Sequence, residues 1–484
     1  MKSPEETAQT YEEPLRLSRL FTRAFWSAWN NRVGGGREVL RMAIPIIVSY
    51  SSVVVMTTTD RLCLAWFGRQ EMNAAFQAGA LFWAFLFLPQ GIGAFVNTFV
   101  AQYFGANEKK RIGSVVWQGV LIGLVCGLFF VAVTPLIGPF FRAIGQSEQS
   151  SILEQTYWKY LAWGTIATLG LEPFVSFFNG IRETKIVMKI TMLGFAVNMV
   201  LDPILIFGIG GRLRLGVAGA ALATSIALWI KFAVFLYAAW KRDASGEFTL
   251  RKSVRLNRPE MKRLVKYGSM SAVQTTAEHW FYTLFVLMMG WIGEEANAAT
   301  AIAYNLNGLV YMPAVGFGVA TAALVGNYVG AKDFERARRA THTSLALSSV
   351  VAGAFSVAFL AFPAPFVDVY ALFDPESYAT ARPIAVNVLR IVGLYLLLDA
   401  YNLILSSALR GAGDARFIML STLAVVGIVI AGLFVGVFGL GYGVYWCWSL
   451  QVLFLVLNVS VFAVRFHRGK WREKGLVDAN VKLV

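Results

Sequence analysis

The 484-residue sequence contains little charge, since Asp, Glu, Lys and Arg together make up only 15% of it, whereas 57% of its residues are hydrophobic. A soluble globular chain usually carries about a quarter charged residues. The apolar residues recur in runs of about 20 or more, the length that crosses the hydrocarbon core of a bilayer. This pattern excludes a chain of several soluble domains, and we expect an all-α integral membrane protein.

Cysteine and histidine are also scarce, with three residues of each type. Cys63, Cys126 and Cys447 stand singly and form no CxxC spacing, which argues against a disulfide framework or a zinc site. The sequence contains neither a GxxxxGK[ST] phosphate loop nor an HExxH motif. We therefore expect no cofactor and no enzymatic activity, so that any uphill transport must use an ion gradient.

Apolar runs bounded by charged residues or by Gly and Pro turns predict twelve transmembrane helices. The last helix ends near Phe466, and the helices begin near Arg37, Met72, Gly113, Gln155, Ile186, Val217, Leu264, Asn297, Ala340, Arg382, Phe417 and Gly441. Because the number of spans is even, both termini lie on the same side of the membrane.

The distribution of basic residues predicts which side that is. With the N-terminus inside, 34 of the 43 Lys and Arg residues fall in inner segments and seven in outer segments, and Lys231 and Arg390 fall within spans. Cytoplasmic loops retain Lys and Arg. We therefore expect a multi-pass protein of the cell inner (plasma) membrane with both termini in the cytoplasm. The net charge of +15 then reflects loops held against an anionic leaflet and not nucleic-acid binding.

An internal repeat divides the chain after the sixth span. At a constant offset of 225, Gly91, Gly93, Val100, Tyr103, Gly105, Ala106 and Arg111 recur as Gly316, Gly318, Val325, Tyr328, Gly330, Ala331 and Arg336. Six spans in each half predict two pseudo-symmetric six-helix bundles around a central cavity, related by an axis along the membrane normal.

The repeat and the topology together predict the domain organisation. We expect a cytoplasmic tail over residues 1–36, an N-lobe over 37–240, a basic cytoplasmic linker over 241–263, a C-lobe over 264–466 and a cytoplasmic tail over 467–484.

Five carboxylates fall within the predicted spans: Asp60, Glu172, Asp202, Glu278 and Asp399. An ionisable side chain inside a bilayer costs about 2.5 kcal/mol or more unless it faces a wet cavity or a partner, so each acid is a functional candidate. Such carboxylates bind hard cations such as Na⁺, or take up protons because burial favours their neutral form. The residues themselves leave both possibilities open.

Asp202 has the clearest sequence context for a cation site. Asn198 precedes it by one helical turn on the same face, and Pro203 frees the carbonyl oxygen of Met199. The alternative is that Asp202 lies hydrated near the outer end of its span. For Asp60 the alternative is an interfacial acid at a helix end.

The second half contains a similar arrangement. Tyr395 precedes Asp399 by one helical turn, and Glu278 is flanked by Gln274 and His279. The alternative for Glu278 is an interhelical hydrogen bond that only holds the bundle together.

These features, in their order along the twelve spans, resemble the multidrug and toxic compound extrusion (MATE) family of cation-coupled antiporters from about Arg37 to Phe466. The residues that carry the resemblance are Pro45, Asp60, Gly68, Gln102, Tyr103, Gly105, Ala106, Asn198, Asp202, Pro203, Gly268, Glu278, Tyr395, Asp399, Arg410, Gly411, Gly413 and Asp414.

The resemblance implies two lobes that rock around a central cleft, admit Na⁺ or H⁺ from outside and expel amphipathic or cationic organic compounds, which is multidrug efflux. It implies cation sites, with Na⁺ as one possible ion, in the first lobe at Asp60, Asn198 and Asp202 and in the second lobe at Glu278, Tyr395 and Asp399. Glu172 stands where the family has a first-lobe asparagine, and the span beginning near Leu264 lacks a proline often found there. The partners we expect are small organic substrates and the lipid bilayer, and we expect a monomer.

Two other functions are compatible with a membrane chain of this kind. A flippase for lipid-linked precursors of the same superfamily would prefer a basic cavity, whereas Lys231 and Arg390 are the only clear bases within spans, against five acids. A membrane-embedded enzyme or a channel would need catalytic clusters or repeated pore-lining rings, which the sequence does not show.

Overall fold

The computed structural model describes residues 33–208, 214–372 and 375–477, so most of the predicted N-terminal tail and the last residues of the C-terminal tail lie outside the described residues. Twelve long helices account for most of the described chain. We label them α1 Gly36–Phe67, α2 Arg69–Gly105, α3 Ile112–Ala143, α4 Glu148–Gly180, α5 Thr184–Phe207, α6 Val217–Arg242, α7 Arg258–Ile292, α8 Glu294–Gly330, α9 Phe334–Ala361, α10 Pro375–Gly411, α11 Ala415–Phe434 and α12 Val444–His467.

All twelve predicted spans are helices, and the largest differences are at α4 and α10, which begin seven residues before the predicted Gln155 and Arg382. The helices extend past their apolar segments into polar sequence. For α4 this extension is stabilised by Ser147, whose side chain caps the helix by accepting a hydrogen bond from the backbone N–H of Ser150. Expecting each helix to start at its apolar boundary was therefore wrong by up to two turns.

Eleven of the described helices are long and apolar enough to cross a membrane, and α7 is the long helix that falls short. Its middle carries Gln274, Glu278 and His279, which lower its hydropathy. A span that carries several polar side chains is thus less apolar than one that faces lipid alone.

The two halves of the chain use the same packing scheme. In the first half, α4 packs against α2, α3 and α6, and in the second half α10 packs against α8, α9 and α12. Likewise α1 pairs with α5, and α7 pairs with α11. The predicted two-bundle arrangement is therefore confirmed, and α4 and α10 occupy equivalent central places in their lobes.

The lobes meet where α1 and α2 pack against α7 and α8. Two of the three repeated glycine pairs, Gly91 with Gly316 and Gly105 with Gly330, lie at this seam because the backbones approach closely there. A Cβ on Gly91 would lie 2.8 Å from the Cα of Ala272, and a Cβ on Gly105 would overlap the carbonyl oxygen of Asn327. Gly330, the repeat of Gly105, meets the Gln102 carbonyl in the same way.

The described ends of the chain and the linker between the lobes lie together at one end of the molecule, which we call the basic end. It consists of residues 33–38, 105–112, 180–185, 243–263, 330–339, 411–416 and 468–477. Linker residues pack on the start of α3, where the Gly113 N–H donates to the Phe248 carbonyl oxygen over 2.9 Å. Lys109 donates to Glu247 over 2.8 Å, and this contact lowers the pKa of the Glu247 carboxyl. The non-helical linker ends at Asn257, which caps α7, so α7 begins six residues before the predicted Leu264.

Candidate cation sites

The structure brings together the three residues expected to form the first-lobe site. Asn198 Nδ2 donates to Asp202 Oδ1 over 3.2 Å along α5, and also contacts Thr224 Oγ1 of α6 over 3.3 Å. Thr224 Oγ1 in turn donates to Asp60 Oδ2 of α1 over 3.4 Å. Side chains from three helices thus form one connected polar cluster, which we call the first-lobe cluster.

The first-lobe cluster contains two fully buried side chains and three oxygen atoms without a hydrogen-bond partner in the part of the chain that the structure describes. Asn198 and Asp202 are 0% exposed. Asp60 Oδ1, Asn198 Oδ1 and Asp202 Oδ2 are buried and have no hydrogen-bond partner among the described residues. A hydrated position for Asp202 is therefore wrong. Since α1 continues to Phe67, an acid at a helix end is wrong for Asp60 as well.

Two neighbouring buried carboxyl groups cannot both be ionised unless a positive charge compensates their repulsion. The Asp60 and Asp202 carboxyls are close enough for their charges to act on each other, and burial next to a second carboxyl favours a proton on one of them. A small hard cation between them would satisfy the same charges, with the amide oxygen of Asn198 and the hydroxyl of Thr224 as further oxygen ligands. The cluster can therefore hold either a shared proton or a cation.

Glu172 lies in a different group from the first-lobe cluster. Its carboxyl interacts with the Gln90 side chain of α2 and with the charge of Lys231 of α6. The aliphatic part of the Lys231 side chain packs directly on Gly194 of α5, where a Cβ atom would overlap it. Glu172 and Lys231, one predicted site residue and one predicted intramembrane base, thus interact electrostatically inside the N-lobe.

The second-lobe residues also converge. Glu278 of α7 and Asp399 of α10 are close enough for their charges to act on each other. Asp399 also acts on Tyr395 one turn earlier and on Tyr304 of α8, and both hydroxyls are buried without a partner among the described residues. Tyr395 is 1% exposed and stacks on Trp448 with 6.3 Å between ring centroids. Two acids and two tyrosine hydroxyls form what we call the second-lobe cluster.

Glu278 does not make the interhelical hydrogen bond considered as its alternative role. Its carboxyl bonds to Gln274 on its own helix, and Oε1 has no partner among the described residues. The neighbouring residue on α7, His279, contacts Phe87 of α2 across the seam between the lobes, with 3.7 Å between ring centroids.

Arg410, one of the residues that carry the family resemblance, is a further candidate. Helix α10 continues to Gly411, and Arg410 Nη2 donates to Gln274 Oε1 of α7 over 2.8 Å, beside Glu278. In contrast, the predicted intramembrane base Arg390 is exposed and donates to Asn387 on its own helix over 3.2 Å. Lys231 and Arg410 are thus half-buried between helices, whereas Arg390 lies on the protein surface.

Two tyrosines at the seam interact electrostatically with charged groups of both lobes. Tyr50 of α1 interacts electrostatically with Glu172 and Arg410. Tyr311 of α8 interacts electrostatically with Glu278, Arg410 and Tyr50. Over the described ranges, no three His, Cys, Asp or Glu side chains are grouped as a transition-metal site would require.

Comparison with known sequences gives a consistent result. The family model described as MatE matches residues 45–204 and 271–435, one segment in each half, in agreement with the internal repeat. A protein of Bradyrhizobium diazoefficiens named "Probable multidrug resistance protein NorM" is 30% identical over 383 residues, covering 78% of this chain and 81% of that protein. The "Multidrug resistance protein NorM" of Burkholderia vietnamiensis is 26% identical, with 89% and 93% covered.

Solved structures share the fold. A transporter of the MOP superfamily from Pyrococcus furiosus, described as having a binding pocket of reversed polarity, superposes with a TM-score of 0.81 at 20% identity over 91% of this chain and 97% of its own. An outward-facing MATE family multidrug resistance transporter gives a TM-score of 0.80 at 20% identity, with 90% and 95% covered. The eukaryotic MATE transporter AtDTX14 gives 0.79 at 19% identity, with 91% and 97% covered.

Proposed function

The chain belongs to the MATE family, and from that premise we propose that it is a cation-coupled antiporter that exports amphipathic or cationic organic compounds. The relatives that are named as multidrug resistance proteins support this substrate class. The coupling ion is Na⁺ or H⁺ and crosses the membrane as a transported species, not as a resident cofactor.

The first-lobe cluster is the observation that carries this proposal. It brings the Asp60 and Asp202 carboxyls close enough for their charges to interact, places the side chains of Asn198 and Thr224 beside them, and leaves three buried oxygen atoms without hydrogen-bond partners among the described residues. Buried polar groups are normally satisfied, so such a group is suited to a ligand that comes and goes. A proton or a sodium ion has the required size and charge.

Exchange follows if the ion and the substrate favour different arrangements of the lobes. An ion can shift a conformational equilibrium only through its different affinity for the two states. In our proposal, ion binding at the first-lobe or second-lobe cluster favours the state that has released substrate, and substrate binding favours the other. The two six-helix lobes move by rocking about the seam formed by α1, α2, α7 and α8.

The groups near the seam suit an amphipathic substrate with a positive group. Glu172, Glu278 and Asp399 attract cations, while Tyr50 and Tyr311 offer aromatic faces for stacking and cation–π contact. Because each internal base is accompanied by an acid, this surface is not the basic cavity that a flippase for lipid-linked phosphates would need.

We further propose that the basic end faces the cytoplasm, following the excess of Lys and Arg in its loops. The two lobes then comprise α1–α6 and α7–α12, and the protein acts as a monomer in the plasma membrane. Accessibility of single cysteines introduced in the basic-end loops to an impermeant maleimide, compared between intact cells and everted vesicles, tests this orientation.

The transport proposal is tested by efflux from everted membrane vesicles. Ethidium or norfloxacin should accumulate in energised vesicles that contain the protein and should leak out when the ion gradients are collapsed. Accumulation that persists without any gradient, or that is absent for a panel of cationic and amphipathic compounds, would contradict it.

A further inference from the structure

A buried carboxylate joins the two lobes at the basic end. Glu260 of α7, in the C-lobe, accepts hydrogen bonds from Tyr103 of α2 over 3.1 Å and from Arg111 Nη2 over 2.8 Å, both in the N-lobe. All three residues are at most 5% exposed, and the Arg111 guanidinium lies 4.4 Å from the centre of the Tyr103 ring. This group is an ion pair removed from water, where losing one partner is costly.

The repeat places an equivalent contact on the other side of the pseudo-symmetry axis. Glu38 of α1, in the N-lobe, accepts a hydrogen bond of 2.7 Å from Tyr328 of α8, in the C-lobe. Glu38 and Glu260 are each the third residue of their helices, and Tyr328 is the repeat of Tyr103. Arg182 supplies the guanidinium here, 2.6 Å from Glu38 and 5.0 Å from the Tyr328 ring.

Two side-chain amides reinforce these contacts in the same symmetric way. Gln102 Nε2 of α2 donates to the Gly411 carbonyl oxygen at the end of α10 over 2.8 Å. Asn327 Nδ2 of α8, the repeat position of Gln102, donates to the Gly180 carbonyl oxygen at the end of α4 over 2.9 Å. Both hydrogen bonds cross from one lobe to the other. Their donors, Gln102 and Asn327, directly precede Tyr103 and Tyr328 in the sequence.

The chain after α12 adds a contact on the Glu260 side only. Residues 470–477, which we call the strap, begin with Trp471 stacked on Phe466 at 5.3 Å between ring centroids. The strap then reaches the N-lobe, where the Leu476 N–H donates to Gln102 Oε1 and the Leu476 side chain packs in the same cluster as Tyr103. Arg263, next to Glu260 on α7, donates to the Leu476 carbonyl oxygen. The Glu260 side is therefore the more heavily fastened of the two.

From this arrangement we infer that Glu38 and Glu260 are paired latch residues of the transport cycle, which hold the lobes together at the basic end and set the balance between the two access states. This inference rests on the alternating-access part of the proposed function. For the basic end to open, the lobes must separate there. The contacts that join one lobe to the other are the two tyrosine–glutamate hydrogen bonds, the Arg111–Glu260 ion pair, the two amide hydrogen bonds and the hydrogen bond from Leu476 to Gln102. Separation leaves two carboxylates without their tyrosine partners, and Glu260 also loses the arginine that the N-lobe supplies.

The inference is tested by measuring distances between the lobes. Nitroxide labels are attached at Lys185 and Arg416, which are exposed on the N-lobe and the C-lobe of the basic end, after the three native cysteines are replaced. Electron–electron double resonance in nanodiscs then gives the ratio of open to closed populations. We expect E38Q/E260Q to raise that ratio by at least about tenfold, because each substitution weakens charge-assisted hydrogen bonds.

Glu183→Gln is the matched control. Glu183 accepts a 2.6 Å hydrogen bond from Arg242 at the same end, with similar exposure to the Glu38 pair, but both partners belong to the N-lobe. It should leave the distance distribution unchanged. An unchanged distribution in E38Q/E260Q, or an equal shift in Glu183→Gln, would overturn the latch assignment.

If the double variant fails to fold, Tyr103→Phe with Tyr328→Phe replaces it, since each change removes a single hydroxyl and keeps the ring. A smaller shift to open distances is expected, and no shift overturns the inference. The distances are recorded without substrate or gradient, so a protein that transports nothing still tests the latches. A protein that transports normally but shows no response refutes the latches alone.

Discussion

Replacing Asp202 by Asn should weaken coupling-ion binding by at least about tenfold without unfolding the protein. Asp202 is fully buried and is one of two carboxyls in the first-lobe cluster, while the asparagine amide keeps its shape and removes its charge. A hydrogen bond to a charged group contributes about 1.5–3 kcal/mol, which corresponds to a factor of about 10 to 150 in affinity. The melting temperature should be unchanged or higher, because burying an amide is less costly than burying a carboxylate.

The assay is substrate flux in proteoliposomes as a function of the concentration of the coupling ion. With Na⁺ as coupling ion, the half-saturating concentration rises; with H⁺, flux loses the dependence on pH that Asp202 supplies. Glu148→Gln is the control, since it removes an exposed carboxylate from the first turn of α4 in the same lobe and should change neither quantity. Parental ion dependence in a folded Asp202→Asn protein would refute the assignment of the first-lobe cluster.

Three further predictions concern the second lobe, the seam and the strap. Asp399→Asn or Glu278→Gln should abolish ethidium and norfloxacin efflux in everted vesicles while the protein still inserts, and normal efflux by both would remove the second-lobe cluster from the mechanism. Gly105→Ala should lower the melting temperature, because its methyl group meets backbone of α8 and such overpacking costs about 1–3 kcal/mol; Gly353→Ala, with open space at its Cβ, should be neutral or stabilising. Trp471→Ala should destabilise the protein by about 3–5 kcal/mol in denaturant unfolding, because this side chain is 1% exposed, and full retention of stability would show that the strap is not docked.

The helical fold could be predicted because each span is recorded in local composition. Runs of apolar residues located all twelve helices, and the glycine repeat at offset 225 indicated the duplication that the two packing schemes share. Helix starts were less accurate, since caps such as Ser147 and Asn257 carry helices beyond the apolar boundary. These starts depend on single polar residues, which hydropathy averages away.

Helical spacing alone could predict the candidate sites only where the relevant residues share a helix, whereas grouping Asp60 with Asn198 and Asp202 depended on the family resemblance. Asn198 and Asp202 are one turn apart, so their common face follows from helical spacing alone. Thr224 lies on another helix in an alanine-rich segment, and nothing in the sequence links it to Asp60. Arg410 could have been recognised from the uninterrupted helical sequence up to Gly411, but its partner Gln274 is 136 residues away and only the fold shows it.

The central claim is that organic substrate and a coupling cation are exchanged, and purified protein in proteoliposomes tests it most directly. Vesicles are loaded with a preformed Na⁺ gradient or a preformed proton gradient, and substrate is then added on the side of the basic end. We predict that substrate accelerates the dissipation of one of the two gradients and that substrate moves in the opposite direction to that ion. Substrate movement that leaves both gradients unaffected, or dissipation that is equally fast without substrate, would contradict antiport.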